Sequence, residues 1–548
     1  MKNLLLLDIK SQLSRCTVVL LGIACSLAFN VQAQNQTLVL AGGALSTCSS
    51  STPKNCQNSA QIKGKAHNLF KVTDAKISTI AQYWPSGNND KKLATINALN
   101  TIKIQKKVPM TRKNLLWLWR DINNTSLSSL SVDEYNFVFD MLEIFQPNIP
   151  QLNSAERLKE QVNTDLNNQS ATNNILQFVS GSLKVNNAEP TMLVVTASSR
   201  DPYEAADLAQ ALFAQSNINT QWLALTPALV HAITNNSCDK LPVLRNTQMK
   251  IYNREAIYPD RIKAELSLCK KGIDALVSLI KHSTGVVFND GDAALASLVL
   301  FDQNDRPYPW TEALQSRPVI MGAGAGTVVQ NKIISEFTTT SLSALRESTN
   351  NSHAGGLGSF NFGVLDTQFG EQNRTFRLAM AIDKSQAKNI KAEVQHGFGI
   401  DENTALVVIK SPEGNLMTVI GKSGVVHLAN QINNQSKGKH YSYSYWPTGS
   451  VIDITNNAFT LSERTISQAL PAIKIPSLPV QRFGAILTNS KLRSLTQAMC
   501  LSQEQSAVAQ QDEFIISLTA TKSTSYHRIS AKELGCAVIN LDLAVSTF

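Results

Sequence analysis

Val319-Ile320-Met321-Gly322-Ala323-Gly324-Ala325-Gly326-Thr327-Val328 decides how this chain is read. A short apolar run enters a glycine-lined turn, and Thr327-Val328-Val329 leaves it as the start of a helix. Strand, turn and helix are the setting of a nucleophile elbow, G-x-S-x-G, with glycine standing at the serine position. Such an elbow needs its glycines because the backbone turns sharply there and holds a strained conformation. This chain keeps the glycines and lacks the hydroxyl. Taken alone, the loop is better read as a plain strand-to-helix turn with small residues for close packing. A dinucleotide fingerprint fits less well, because Thr327 stands where G-x-G-x-x-G needs its third glycine.

The surrounding pattern supplies the fold. Gln36–Gly43 reads as a strand ending in a glycine turn, followed by Asn- and Ser-rich sequence. From Asp74 to Val179 apolar residues recur at helical spacing, as in Lys113–Arg120 and Val132–Glu143. Trp117 and Trp119 fall in this region and are read as core residues ahead of a ligand groove. From Ala188 strands and helices alternate: Met192–Thr196, Glu204–Gln215, Gln221–Leu225, Asp274–Lys281 and Gly285–Phe288. That alternation predicts a parallel sheet covered by helices on both faces, with its site at the carboxyl ends of the strands. Asp292, Gly324 and Asp366 fall at such ends. Leu406–Lys410, Leu416–Ile420, Val425–Leu428 and Tyr441–Trp446 read as closing strands, the last with one buried face. Pro471, Pro476 and Pro479 mark a linker. Beyond it a strand at Phe483–Leu487, a helix at Lys491–Gln503 and a strand at Phe514–Thr519 predict a small α/β appendage.

Several segments, in order, resemble the cyanophycinase family, serine peptidases of the S51 type that include the aspartyl dipeptidases. Pro190–Tyr203 is similar to the family's second core strand and its Ser-Ser-Asp-Pro turn, here Ser198-Ser199-Arg200-Asp201-Pro202. Gly285–Asp292 resembles the "FTGGDQ" strand end, and Val319–Val328 resembles the "GGTSAGA" elbow. Gly356-Leu357-Gly358, Asp366-Thr367-Gln368-Phe369, Arg374 and Arg377 follow "GLG…DQHFxxRxRxxRL". Gly397–Val408 is similar to "GIGIDEDTALVV". The likeness spans residues 37–48 and 188–455. It implies a three-layer flavodoxin-like, class I glutamine amidotransferase-like α/β core; the segment between the two matched stretches and the tail have no counterpart in it and read as a helical insertion and the C-terminal appendage. Taken with the rest of the chain, the expected organisation is 1–33 signal peptide, 34–60 first strand and cysteine loop, 61–187 helical insertion, 188–455 core and 456–548 linker and appendage.

The departures fall on the chemistry. Gly324 holds the serine position and Gln368 the histidine position, while Thr367 replaces the family's glutamine and Gln372 its first arginine. In "GGDQ" only Gly291 and Asp292 remain, with Asp290 for the first glycine and Ala293 for the glutamine. Glu336 and Glu347 are the two candidates for the acidic triad member. Serine attack needs a hydroxyl and a base acting together, and glycine and glutamine supply neither. A carboxylate at Asp290, beside an oxyanion hole, opposes the charge that must develop there. Asp290, Gly291, Asp292, Asp366, Arg374 and Arg377 are the candidate pocket residues. Asp366 with the two arginines reads equally as a carboxylate pocket or a structural ion pair. Asp292 is read as holding its loop, and Asp401 and Glu402 as bonding a turn. His353 and His396 are the nearest histidines in sequence that could replace the base.

The chain has 548 residues and a formal net charge of +9, with its basic residues scattered. That pattern lacks the aromatic-interleaved basic patch of a nucleic-acid binder. Lys2, Lys10 and Arg15, the apolar run Thr17–Phe29 and Val31-Gln32-Ala33 read as a secretory signal too short to span a membrane. The expected destination is secreted or periplasmic. Six cysteines then remain: Cys48, Cys56, Cys238, Cys269, Cys500 and Cys536. An oxidising compartment favours disulfides, and locality favours pairing neighbours in sequence. No cofactor or metal is expected. The leading expectation is a degenerate cyanophycinase-like protein that binds a peptide-like or acidic ligand, or a protein partner. The alternative is an active exopeptidase or dipeptidase on aspartyl peptides or cyanophycin, with a relocated nucleophile such as Thr327. A third is a structural envelope protein without pocket function.

Overall fold

The computed structural model describes residues 35–43, 45–149, 156–335, 340–346, 352–387, 395–431, 438–473 and 485–547. The signal segment, Glu336, Glu347, Pro476 and Pro479 lie outside these residues. Two large sheets organise the chain. The first has nine strands in the order 458–461, 451–455, 414–421, 404–411, 36–41, 319–323, 285–288, 191–195, 219–223. From Gln36–Ala41 to Asn219–Leu223 every neighbour is parallel. From Gln36–Ala41 the other way every neighbour is antiparallel. The sheet is therefore mixed, where parallel pairing was expected to dominate.

Side-chain alternation explains the layers. Leu38, Leu40, Leu193, Val286, Phe288 and Ile320 point to one face and join Leu229, Ile233, Leu276 and Ile280 of the helices Pro227–Thr234 and Pro259–His282. Val39, Met192, Val194, Val287, Val319 and Met321 point to the other, against Ile175, Val179 and Leu183 of the helix Ser170–Asn186. Strands buried on both faces need continuous apolar runs, and these have them.

A second sheet of eight strands was not expected. Its order is 364–367, 396–400, 424–431, 439–447, 536–547, 514–519, 506–511, with Ser525–Arg528 paired to Cys536–Thr547. The C-terminal segment thus completes this sheet and does not stand apart as an appendage. Helix Lys491–Ser502 and strand Phe514–Thr519 form as predicted, whereas residues 485–487 make a turn where a strand was expected. Strand Lys439–Pro447 is buried on both faces at its end, since Ser444, Tyr445 and Trp446 are all inside.

The helices Asp74–Gln82, Asn89–Gln105, Arg112–Ser128 and Val132–Leu142 enclose a core of their own around Trp119, Phe137 and Phe139. Ser131 and Glu134 start the last of these with a reciprocal capping box, which satisfies backbone N–H groups at the helix end. Trp119 is fully buried, but Trp117 is 70% exposed and packs in no core. No helix among the described residues is long and apolar enough to cross a membrane.

Three disulfides close locally: Cys48–Cys56, Cys238–Cys269 and Cys500–Cys536. The second and third bridge 31 and 36 residues. Loops of that size restrict the unfolded chain by about 3–4 kcal/mol each. Peptide mapping should recover these pairs without free thiol. Cys500→Ala with Cys536→Ala should lower the urea midpoint of the oxidised protein and match the loss on reduction at that bridge.

Candidate active site

Strand Val319–Ala323 runs parallel to Gln36–Ala41 and delivers Gly324 as the N-cap of the short helix Ala325–Val328. Gly324 has φ 51° and ψ −116°, a conformation that side chains resist and glycine adopts freely. Its N–H donates to the Ala41 carbonyl at 3.0 Å. At Gly326 a Cβ would come within 2.1 Å of the Phe288 carbonyl oxygen, so helix and neighbouring strand can approach only over glycine. The elbow backbone is present, with glycine at its apex.

The neighbouring strand Gly285–Phe288 ends in Asn289-Asp290-Gly291-Asp292. Asp290 Oδ1 accepts hydrogen bonds from the N–H of Gly291 at 2.8 Å and the N–H of Ala325 at 3.0 Å. Paired backbone donors of this kind stabilise a developing oxyanion. Here they already hold a carboxylate. A Cβ on Gly324 would lie 1.9 Å from the same oxygen, so Asp290 fills the space a side chain at 324 would need. Asp292 caps the helix Ala293–Ser297 by accepting from Ala294 N–H at 2.9 Å.

Strand Val364–Thr367 brings the remaining candidates. Gln368 follows it with φ 50° and donates its N–H to the Gly42 carbonyl at 2.9 Å. A Cβ on Gly43 would lie 3.3 Å from Gln368 Nε2 and 3.0 Å from Asp290 Oδ2, so both side chains converge on this turn. Asp366 is fully buried and accepts from Arg377 Nε at 2.9 Å and Nη2 at 2.5 Å. That pair is an internal ion pair. Arg374 donates to the Thr367 carbonyl at 2.6 Å and also bonds Gln372 Oε1. Burial lowers its pKa from the ordinary arginine value, with Asp366 and Asp290 among the charges that oppose the shift.

The candidate replacement nucleophile sits in the elbow helix itself. Thr327 is fully buried and its hydroxyl donates to the Ala41 carbonyl at 2.7 Å. His396 begins strand His396–Ile400, with Nδ1 3.0 Å from His427 Nε2 and its ring against Phe459. Burial lowers the pKa of His396, and that of His427 to about 3. His353 lies on strand Ser352–Ala354, paired with Ile333–Ser335. Asp401 accepts from Gly370 N–H at 2.7 Å and Arg493 Nη1 at 2.6 Å, tying helix Lys491–Ser502 to the turns after strands Val364–Thr367 and His396–Ile400. Burial raises Asp401 to about 6. Asp290, Gly291, Gly324, Gln368 and Arg374 therefore meet at the elbow, and among the described residues no hydroxyl there is paired to a base.

The chain matches no family model. A crystal structure of a peptidase from an acI-B1 Actinobacterium is similar over 51% of this chain and 91% of that one. The identity is 15% and the TM-score 0.31, a weak likeness.

A second polar cavity, of about 420 Å³, lies between the helical segment and the turn after strand Thr191–Val195. Arg254 dominates it. Although 1% exposed, it donates to Asp201 Oδ2 at 2.6 Å, Glu143 Oε2 at 2.9 Å and the Tyr252 carbonyl at 2.7 Å. Asp140 beside it takes Arg200 Nη2 at 2.5 Å. Nothing in the sequence flagged this cluster, whose members are far apart along the chain. It fastens residues 140–143 to the core.

Burial raises Glu143 from 4.5 to about 7, against the pull of Arg254. The folded state thus holds an additional proton between those values, so the contribution of Glu143 to stability is fully present below pH 4.5 and is lost as pH rises through about 7. Glu143→Gln should flatten that decline. Urea midpoints at pH 5 and pH 8 should differ less in the variant than in the parent.

Proposed function

We propose that this chain is a binding protein on a cyanophycinase-type peptidase scaffold from which the serine–histidine chemistry is gone. The carrying observation is Asp290: its carboxylate takes the N–H groups of Gly291 and Ala325 and fills the space beside Gly324. A tetrahedral oxyanion would have to displace a like charge from those donors, and no side chain at 324 could attack. The chain would engage a peptide-like ligand through the cleft bordered by Gln368 and Arg374, or a protein partner through its added regions.

The flavodoxin-like, class I glutamine amidotransferase-like core and the secretory signal at 1–33 belong to this reading, as does a secreted or periplasmic location. Helices on both faces of the first sheet and three disulfides support it. The segments 61–187 and 456–548 would be additions woven into the core, since helix Ser170–Asn186 lies on one sheet and strands 506–547 complete the other. Relocation of the nucleophile to Thr327 is disfavoured by its burial and its bond to Ala41. Incubation with cyanophycin and with aspartyl dipeptides should release no product, and turnover abolished by Thr327→Val would replace this reading with the enzyme.

A further inference from the structure

Beside the elbow is an apolar cavity of about 550 Å³, under the loop closed by Cys48–Cys56 and against helix Pro202–Ala211. Leu45, Ala205, Leu208, Leu212 and Met321 line it. That volume suits a small ligand, and such sites pair apolar walls with a few placed polar groups. The polar groups gather where Asn289, Asp290 and Ser199 meet. Asn289 Nδ2 donates to Ser199 Oγ at 2.6 Å and to the Asp290 carbonyl at 2.7 Å. Asn289 Oδ1 is buried away from the cavity, and among the described residues no hydrogen bond reaches Asp290 Oδ2. A carboxylate oxygen without a donor favours a positively charged one.

The rest of the lining offers few donors. Ser49 and Ser51 both bond Glu160, while Thr52 and Asn55 donate to the Thr47 carbonyl. Lys54 lies at the exposed rim. Arg374 feels Asp290, but two of its N–H groups are spent on Thr367 and Gln372. The free polar atoms are mostly acceptors and the walls are apolar.

We propose that this cavity takes a primary ammonium group bearing a compact apolar substituent, as at the free N-terminus of a peptide that begins with leucine or a similar residue. Asp290 Oδ2 would receive the ammonium, and Leu45, Leu208, Leu212 and Met321 would hold the side chain. This assignment rests on the binding reading of the elbow and gives it a ligand class.

Titration calorimetry of the intact oxidised protein with L-leucinamide tests it. Leucinamide should bind, while N-acetyl-leucinamide and glycinamide should each bind about tenfold more weakly or worse, lacking the charge or the side chain. Asp290→Asn should weaken leucinamide about tenfold. Ala205→Phe, which fills the cavity from a partly exposed wall, should abolish binding while thermal unfolding stays cooperative. Equal binding of the free and acetylated amides, indifference to Asp290→Asn, or no binding of leucinamide by folded protein would each overturn the assignment. An acidic peptide whose binding survives Ala205→Phe but not Arg374→Ala would also overturn it, and would leave the cleft reading standing. Hydrolysis of a supplied peptide would instead sink the cleft reading, with the leucinamide titrations still deciding the cavity.

Discussion

Gly324→Ser alone is expected to destabilise the protein by about 2–5 kcal/mol and to gain no reactivity toward a fluorophosphonate. Two costs combine. The new Cβ would meet Asp290 Oδ1 at 1.9 Å, and the backbone at φ 51°, ψ −116° disfavours any side chain. Adding Asp290→Gly should recover much of the loss, because it removes the clash and frees the N–H groups of Gly291 and Ala325. Only the triple variant that also carries Gln368→His should label measurably, since a nucleophile without its base contributes almost nothing. Labelling mass, denaturant midpoints and peptidase assays separate these outcomes. A Gly324→Ser single variant that labels and stays fully stable would show that Asp290 does not occupy the site.

Arg254→Ala should be the most damaging single change away from the elbow. It would leave Asp201 and Glu143 buried with no guanidinium between them, and Asp140 short of a second cation at 3.6 Å. Breaking a buried ion pair from one side costs about 3–5 kcal/mol, far more than the pair contributes when whole. The loss should shrink at pH 5, where Glu143 is protonated and needs no guanidinium. Hydrogen exchange should rise first in helix Val132–Leu142, which this cluster fastens to the core. A loss below about 1 kcal/mol, the range of a surface pair, would mean that water reaches the cluster and screens it.

The elbow was legible because its chemistry is local. Three glycines at alternate positions after an apolar run fix a turn whatever the rest of the chain does. Strands Gly285–Phe288 and Phe514–Thr519 were equally clear, each being a short apolar or alternating run with turns at its ends. The second sheet was not legible, because its pairings join residues such as Tyr441 and Leu543 that share no local signal. The Arg254 cluster was hidden for the same reason. Arg377 was visible as a residue, but whether it served a ligand or Asp366 depended on burial. The opposition between Asp290 and an oxyanion could be anticipated. That its carboxylate bonds the Ala325 N–H across the sheet could not.

The pairing of strand Gln36–Ala41 also sets a timetable. It lies between Val319–Ala323 and Thr404–Ser411, so its partner Ala405 is made about 360 residues after Ala41. At ribosomal speeds of roughly 5–20 residues per second, Leu38, Val39 and Leu40 must wait on the order of 20 to 70 s for both neighbours. Until Val319–Ala323 is made, about 280 residues after Ala41, the middle strand of the first sheet is a sticky apolar segment with both edges open, and one edge stays open until Thr404–Ser411 follows. Domain-by-domain folding during synthesis is therefore closed to this half of the molecule. Its yield in a cell should depend on whatever shields the nascent chain, and overexpression without added chaperone should drive it into aggregates seeded by residues 36–41.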